Sequence, residues 1–222
     1  MKKSLLIIGG LAIVIAAAPL FAAFEAHVIN VTAHIENALK VMPPDDMTFG
    51  TVFPQEYHEK NLSVTTSESF CNANQRRVLN IDYKIVQKPK CINATGEHAP
   101  VNYATHECPK GYEPMLSLCP FLSKTPKHAD EPPYEDYGVP AFHDPSDPAS
   151  VATGTINKDN DILDEWIIDL AVPCFEGMCA QDWPEFVASI NPDANPADYI
   201  LPASQESSDF GCDLWIEVTD IY

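Results

Sequence analysis

"FEAHVINVTAHIENALKV", residues 24–41, decides the fold class. Ile29, Val31, Ala33, Ile35, Leu39 and Val41 hold the odd positions, interrupted only by Asn37, while Asn30, Thr32, His34, Glu36 and Lys40 lie between them. Successive side chains of a strand point to opposite faces, so this period of two marks a strand with one buried face. It needs a sheet to cover that face, in its own domain or in another copy of the chain.

The period recurs downstream. Leu62, Val64, Thr66 and Phe70 share one parity, as do Leu79, Ile81, Tyr83 and Ile85. Near the end, Trp166, Ile168, Leu170 and Val172, then Cys212, Leu214, Ile216 and Val218, repeat it. Five strands with Pro and Gly turns and no strand–helix alternation predict an all-β, antiparallel β-sandwich. One short helix is expected in "DWPEFVASI", where Trp183, Phe186, Val187 and Ile190 fall at helical spacing. Asp182 is placed to cap it, and Pro184 sits in the first turn, where its missing N–H costs nothing.

Upstream of the first strand, Lys2 and Lys3 precede an apolar run ending in small residues at Ala22 and Ala23, the form of an export signal occupying residues 1–23. The run of about 20 residues also suffices to span a bilayer, so an uncleaved N-terminus is the one membrane attachment the sequence allows. Without Lys2 and Lys3 the formal charge is 13 − 2 − 32 = −21. That charge makes nucleic acid and anionic membrane poor partners.

Seven cysteines in an exported chain, Cys71, Cys91, Cys108, Cys119, Cys174, Cys179 and Cys212, point to disulfides rather than metal, and no C-x-x-C pair is present. "CFEGMC" reads as a small closed loop between Cys174 and Cys179. Cys108 has Cys119 or Cys91 as a local partner, Cys212 is a further candidate, and Cys71 is the expected leftover thiol. Residues 91–155 carry little periodicity and are read as a Pro-rich, Cys-stapled insertion held without a core, dividing the sandwich into 24–90 and 156–222.

Motifs for chemistry are sparse. His58 and His106 each precede a Glu but lack the second histidine of a zinc helix, and there is no nucleophile elbow or phosphate loop. Asn157, Asp159 and Asp161, with Asp164 nearby, have calcium-loop spacing, although Ile162 stands where the turn wants glycine; calcium is the one cofactor considered. Glu97, His98, His106 and Glu107 form a second metal-ligand cluster, the basis of a metalloprotease alternative. Asn30, Asn61 and Asn93 each begin an N-x-[ST] glycan-acceptor sequon.

An export signal running straight into a long alternating strand, followed by "MTFGTVFPQE" and "LSVTTSESF", resembles the TasA and camelysin family of exported proteins. Phe49, Gly50 and Pro54 match the family's step, while Gln55 replaces its glycine. The resemblance covers roughly residues 1–90 and the terminal strand. It implies a jelly-roll sandwich and, for TasA-like members, matrix fibres in which the first strand of one subunit completes the sheet of the next. Camelysin is classed as a metalloprotease, but no zinc motif carries over to any residue of this chain.

Burying Ile29, Val31, Ile35, Leu39 and Val41 gains roughly 1.5 to 3 kcal/mol each. Fixing the strand's backbone costs about 1 to 2 kcal/mol per residue, so ladder hydrogen bonds of roughly 1 kcal/mol each must supply the rest. A slot paired on both sides is therefore expected for the strand. The functional expectation is an exported structural protein of the cell surface or extracellular matrix, partnered with itself as a homopolymer or with other cell-surface components. An anchored monomeric binding module is the alternative.

Overall fold

The computed structural model describes residues 37–43, 46–72, 78–102, 104–128 and 135–222. Ile29, Val31, Ala33 and Ile35 of the opening stretch lie outside these residues. Twelve strands follow in order: β1 Leu39–Met42, β2 Tyr57–Thr66, β3 Asn80–Lys88, β4 Lys90–Asn93, β5 His98–Pro100, β6 Tyr112–Pro114, β7 Leu116–Ser117, β8 Thr125–Pro126, β9 Ala152–Asn157, β10 Leu163–Ala171, β11 Phe210–Gly211 and β12 Asp213–Ile221. Two α-helices accompany them, α1 Glu68–Asn72 and α2 Trp183–Ile190.

The alternation seen in sequence sets the register of the larger sheet, whose order is β1-β2-β10-β8. Leu62 stands opposite Trp166 and Val64 opposite Asp164, so the apolar parities of β2 and β10 fall on one face. Leu62, Val64, Trp166, Ile168 and Leu170 are all buried there. A second antiparallel sheet, β12-β3-β9, turns Tyr83, Ile85, Ala152 and Ile156 into the same core. The Tyr83 and Trp166 rings meet edge-on from the two sheets, with centroids 6.4 Å apart. Gly154 makes room for this pair, since a Cβ at that position would come within 2.4 Å of the Tyr83 hydroxyl. The chain is thus mostly β, with several antiparallel sheets; the two-residue β11–β7 pair is parallel.

Three expectations are corrected. Phe70 is not on a strand: β2 stops at Thr66, and the Ser67 hydroxyl accepts the Phe70 backbone N–H at 3.3 Å, capping α1. Asp182 stands at the N-cap of α2 without a side-chain cap bond; its carboxylate accepts from Gln55 Nε2 at 3.2 Å instead. Pro184 does occupy the first turn, as its chemistry requires.

Among the described residues, β1 is the outer strand of its sheet and pairs with β2, whose other side carries the nine-residue ladder with β10. Finally, the Pro-rich region is not held without a core. Phe121, Leu122, Val139, Ala141 and Phe142 are buried in the common core, and β8 extends the larger sheet along β10. Phe142 makes edge contacts with Phe121, Trp183, Phe186 and Tyr199 at centroid distances of 5.3–6.2 Å, tying this region to α2. Aromatic packing supplies there what period-two patterning does elsewhere.

Candidate functional site

Assembly by strand addition requires an open sheet edge, and two such edges bear on the opening stretch. In β1, Leu39 and Val41 turn inward and pack on the core, pairing with Thr66 and Val64 of the same chain, while Lys40 is exposed. Strand β12 pairs only with β3, so among the described residues its other side presents a nine-residue ladder without a neighbouring strand. Val218, Ile221 and Tyr222 at its end are 44–53% exposed. Burial holds the Asp213 carboxyl, at the start of β12, above its ordinary range, against the opposing charge of Lys90.

The midpoint of β12 is charged. Glu217 lies 3.1 Å from Lys84 Nζ and 2.8 Å from Lys88 Nζ, contacts that keep its carboxyl below the usual range despite partial burial. Lys88 is only 5% exposed and also sits 3.8 Å above the Trp215 ring. Symmetric antiparallel pairing of two β12 strands would set Glu217 against Glu217, so the edge disfavours its own copy while remaining open to a strand of different sequence.

The cysteines are now placed. Cys108 bonds Cys91, one of the two partners open to it in sequence, and the bond pins the small sheet β5-β4-β6. Cys174 bonds Cys179 across the short loop, and Cys71 is free and exposed on α1. Cys119–Cys212, separated by 93 residues, was not legible in spacing; it brackets the parallel pair β7–β11.

The calcium-spaced residues are turned to structural work. Asn157 Oδ1 accepts the backbone N–H groups of Asp159 and Asn160 at 2.9 and 3.0 Å, Asp161 bridges Asn157 through the backbone, and Asp164 points into the core toward Tyr83. His98 lies on β5, and His106 adopts a left-handed conformation with φ 57° near Cys108. Among the described residues, no three His, Cys, Asp or Glu side chains converge on a metal-holding group.

The core contains polar groups that sequence reading missed. Lys124, fully buried, lies 3.4 Å from His143 Nε2, which is 2.7 Å from Gln87 Oε1. His143 Nδ1 donates to the Pro140 carbonyl at 2.8 Å, and Gln87 Nε2 to that of Cys119 at 2.9 Å. Burial lowers Lys124 to about 7. Burial, and then the neighbouring Lys124 charge, lower His143 to about 4. Ser123 donates to buried Asp169 at 2.9 Å. Gln87 and Asp164 do sit on the inward parities of β3 and β10, which was the available signal; Lys124 and His143 sit in aperiodic sequence and carried none. These groups are 0–9% exposed, and their bonds tie loop to strand rather than present a reactive atom.

No family model, curated protein or solved structure matches the chain.

Proposed function

We propose that the chain is an exported structural subunit of the cell surface or extracellular matrix, which assembles by adding residues 24–36 of one copy to an open sheet edge of the next. The observation that supports the reading is the pair of edges: among the described residues, β1 ends the larger sheet and the long β12 ladder has one strand neighbour. Leu39 and Val41 pair within their own chain, so the trans-acting part of the opening stretch reduces to 24–36. Its alternating apolar parity suits an edge that Glu217 guards against self-pairing. Three disulfides accord with an oxidising destination. A jelly-roll connectivity and the TasA-like resemblance belong to the same reading.

The test compares residues 24–222 with 37–222, which keeps β1, by negative-stain electron microscopy and thermal unfolding. Filaments from the longer chain and folded, dispersed particles from the shorter are expected. Dispersed particles from both, or filaments from both, would overturn strand donation. The anchored binding-module alternative draws on the β5-β4-β6 sheet, which Cys91–Cys108 pins and which exposes residues 94–98.

A further inference from the structure

Three sequons occur in the chain, and the fold separates them. Asn30 lies outside the described residues. Asn61 sits within β2 opposite Ile167 of β10, past the end of the β1 ladder, where the extended backbone leaves no turn. Asn93 differs: it ends β4 at the mouth of the hairpin to β5, and Ala94, Thr95, Gly96 and Glu97 are exposed.

The hairpin folds the Asn93 amide into a polarised state. Its Oδ1 accepts from the Thr95 hydroxyl at 2.7 Å, the Thr95 N–H at 3.0 Å and the Glu97 N–H at 2.8 Å. Its Nδ2 donates to Glu97 Oε2 at 2.7 Å. An amide nitrogen is a poor nucleophile because its lone pair is delocalised onto the oxygen. Three donors on the oxygen make the N–H protons more acidic, and a carboxylate on the nitrogen side draws one of them away, so both sets of contacts move the group toward the nucleophilic imidate form. Gly96, at φ 83°, allows the tight turn that brings Glu97 back over Asn93.

We infer that Asn93 is a glycan-attachment site, taking an oligosaccharide from a lipid-phosphate-linked donor in the compartment the exported chain enters. The Asn93 Nδ2–C1 bond forms and the bond from C1 to the donor's phosphate oxygen breaks. The electron pair leaves with the phosphate, and the Nδ2 proton passes to a carboxylate base of the transferase. No oxidation or reduction is involved. The site lies on the small disulfide-pinned sheet, which shares no ladder with β1 or β12, so a glycan there is compatible with strand addition.

This inference rests on export, and one measurement keeps the two apart. Native protein from its own host is analysed by intact mass and by peptide mapping across residues 91–108, with and without enzymatic deglycosylation. A chain lacking residues 1–23 and bearing a glycan on Asn93, converted to Asp on enzymatic release, is the expected result. A cleaved, exported chain with bare Asn93 overturns the glycan site alone; a chain retaining residues 1–23 in the cytoplasm overturns the export reading. Thr95→Ala is expected to abolish attachment and Thr95→Ser to retain it. Equal occupancy in both variants would overturn the role of the hydroxyl contact. Thr95 is exposed, so both variants leave the core untouched.

Discussion

The hydroxyl of Tyr83 on β3 donates to the Asp164 carboxylate on β10 across 2.6 Å, joining the two larger sheets through their shared core. The same oxygen accepts the Trp166 indole N–H at 2.7 Å. Burial, followed by the Asp164 charge, pushes the Tyr83 phenol far above its ordinary range, so it stays a donor at any working pH. Tyr83→Phe removes a donor from one buried group and an acceptor from another, at an expected cost of roughly 1–3 kcal/mol. Urea unfolding midpoints measure it; an unchanged midpoint would mean the bond contributes nothing net.

Lys124 and His143 make stability depend on pH. Both are bases whose folded pKa lies below the ordinary value, so the unfolded chain binds more protons and stability rises with pH. For His143 the effect is absent above the unfolded value of 6.5, and stability is lost progressively as pH falls toward about 4. It amounts to about 3 kcal/mol over that window. For Lys124 the corresponding loss runs from 10.5 down to about 7. Lys124→Met, which keeps the volume and deletes the charge, should flatten the limb between those two values. A variant with the parent's slope there would show that Lys124 is not the group responsible.

The disulfides should differ in worth by loop length. Cys119–Cys212 spans 93 residues and Cys174–Cys179 only 5. Chain entropy then assigns about 4–5 kcal/mol to the first and about 2 kcal/mol to the second. Paired Cys→Ser variants, compared by thermal unfolding, test the order; equal losses would shift the explanation from loop closure to local packing.

Cys71 is expected to react alone. Alkylation of the native, unreduced chain should add one adduct, located by peptide mapping to α1. A native preparation that takes up no label would instead place Cys71 in a bond between copies.

Assembly should respond to salt. A formal charge of −19 on the full chain opposes association of copies, and the screening length shortens from about 30 Å at 0.01 M to about 8 Å at 0.15 M ionic strength. Filament yield at constant pH should therefore rise with salt or divalent cations. Constant pH matters because acid also loads the His143 site. A yield indifferent to ionic strength would remove charge from the account.

Much of the architecture was legible because periodicity is local. The inward parities of β2, β3 and β10, the helix around Trp183 and Val187, the short Cys174–Cys179 loop and the unpaired Cys71 all follow from residues a few positions apart. The misreadings have two causes. Phe70 continued an apolar parity, yet Ser67, three residues earlier, turned the backbone; the others come from distance along the chain. Residues 116–142 lacked any period because Phe121 and Phe142 bury themselves against Tyr199, Trp183 and Phe186 from other segments.

From sequence alone came a β-rich chain with a large negative charge and strands whose buried face is written in alternate residues, since each strand must satisfy its own pleat. The tertiary structure alone decided that, among the described residues, β1 and β12 are the outer strands of their sheets, that Cys119 reaches Cys212, and that Asn93 rather than Asn61 sits in a turn. Pairing partners, edges and enclosed polar groups depend on which distant segments meet, and contact across tens of residues leaves no period in the chain.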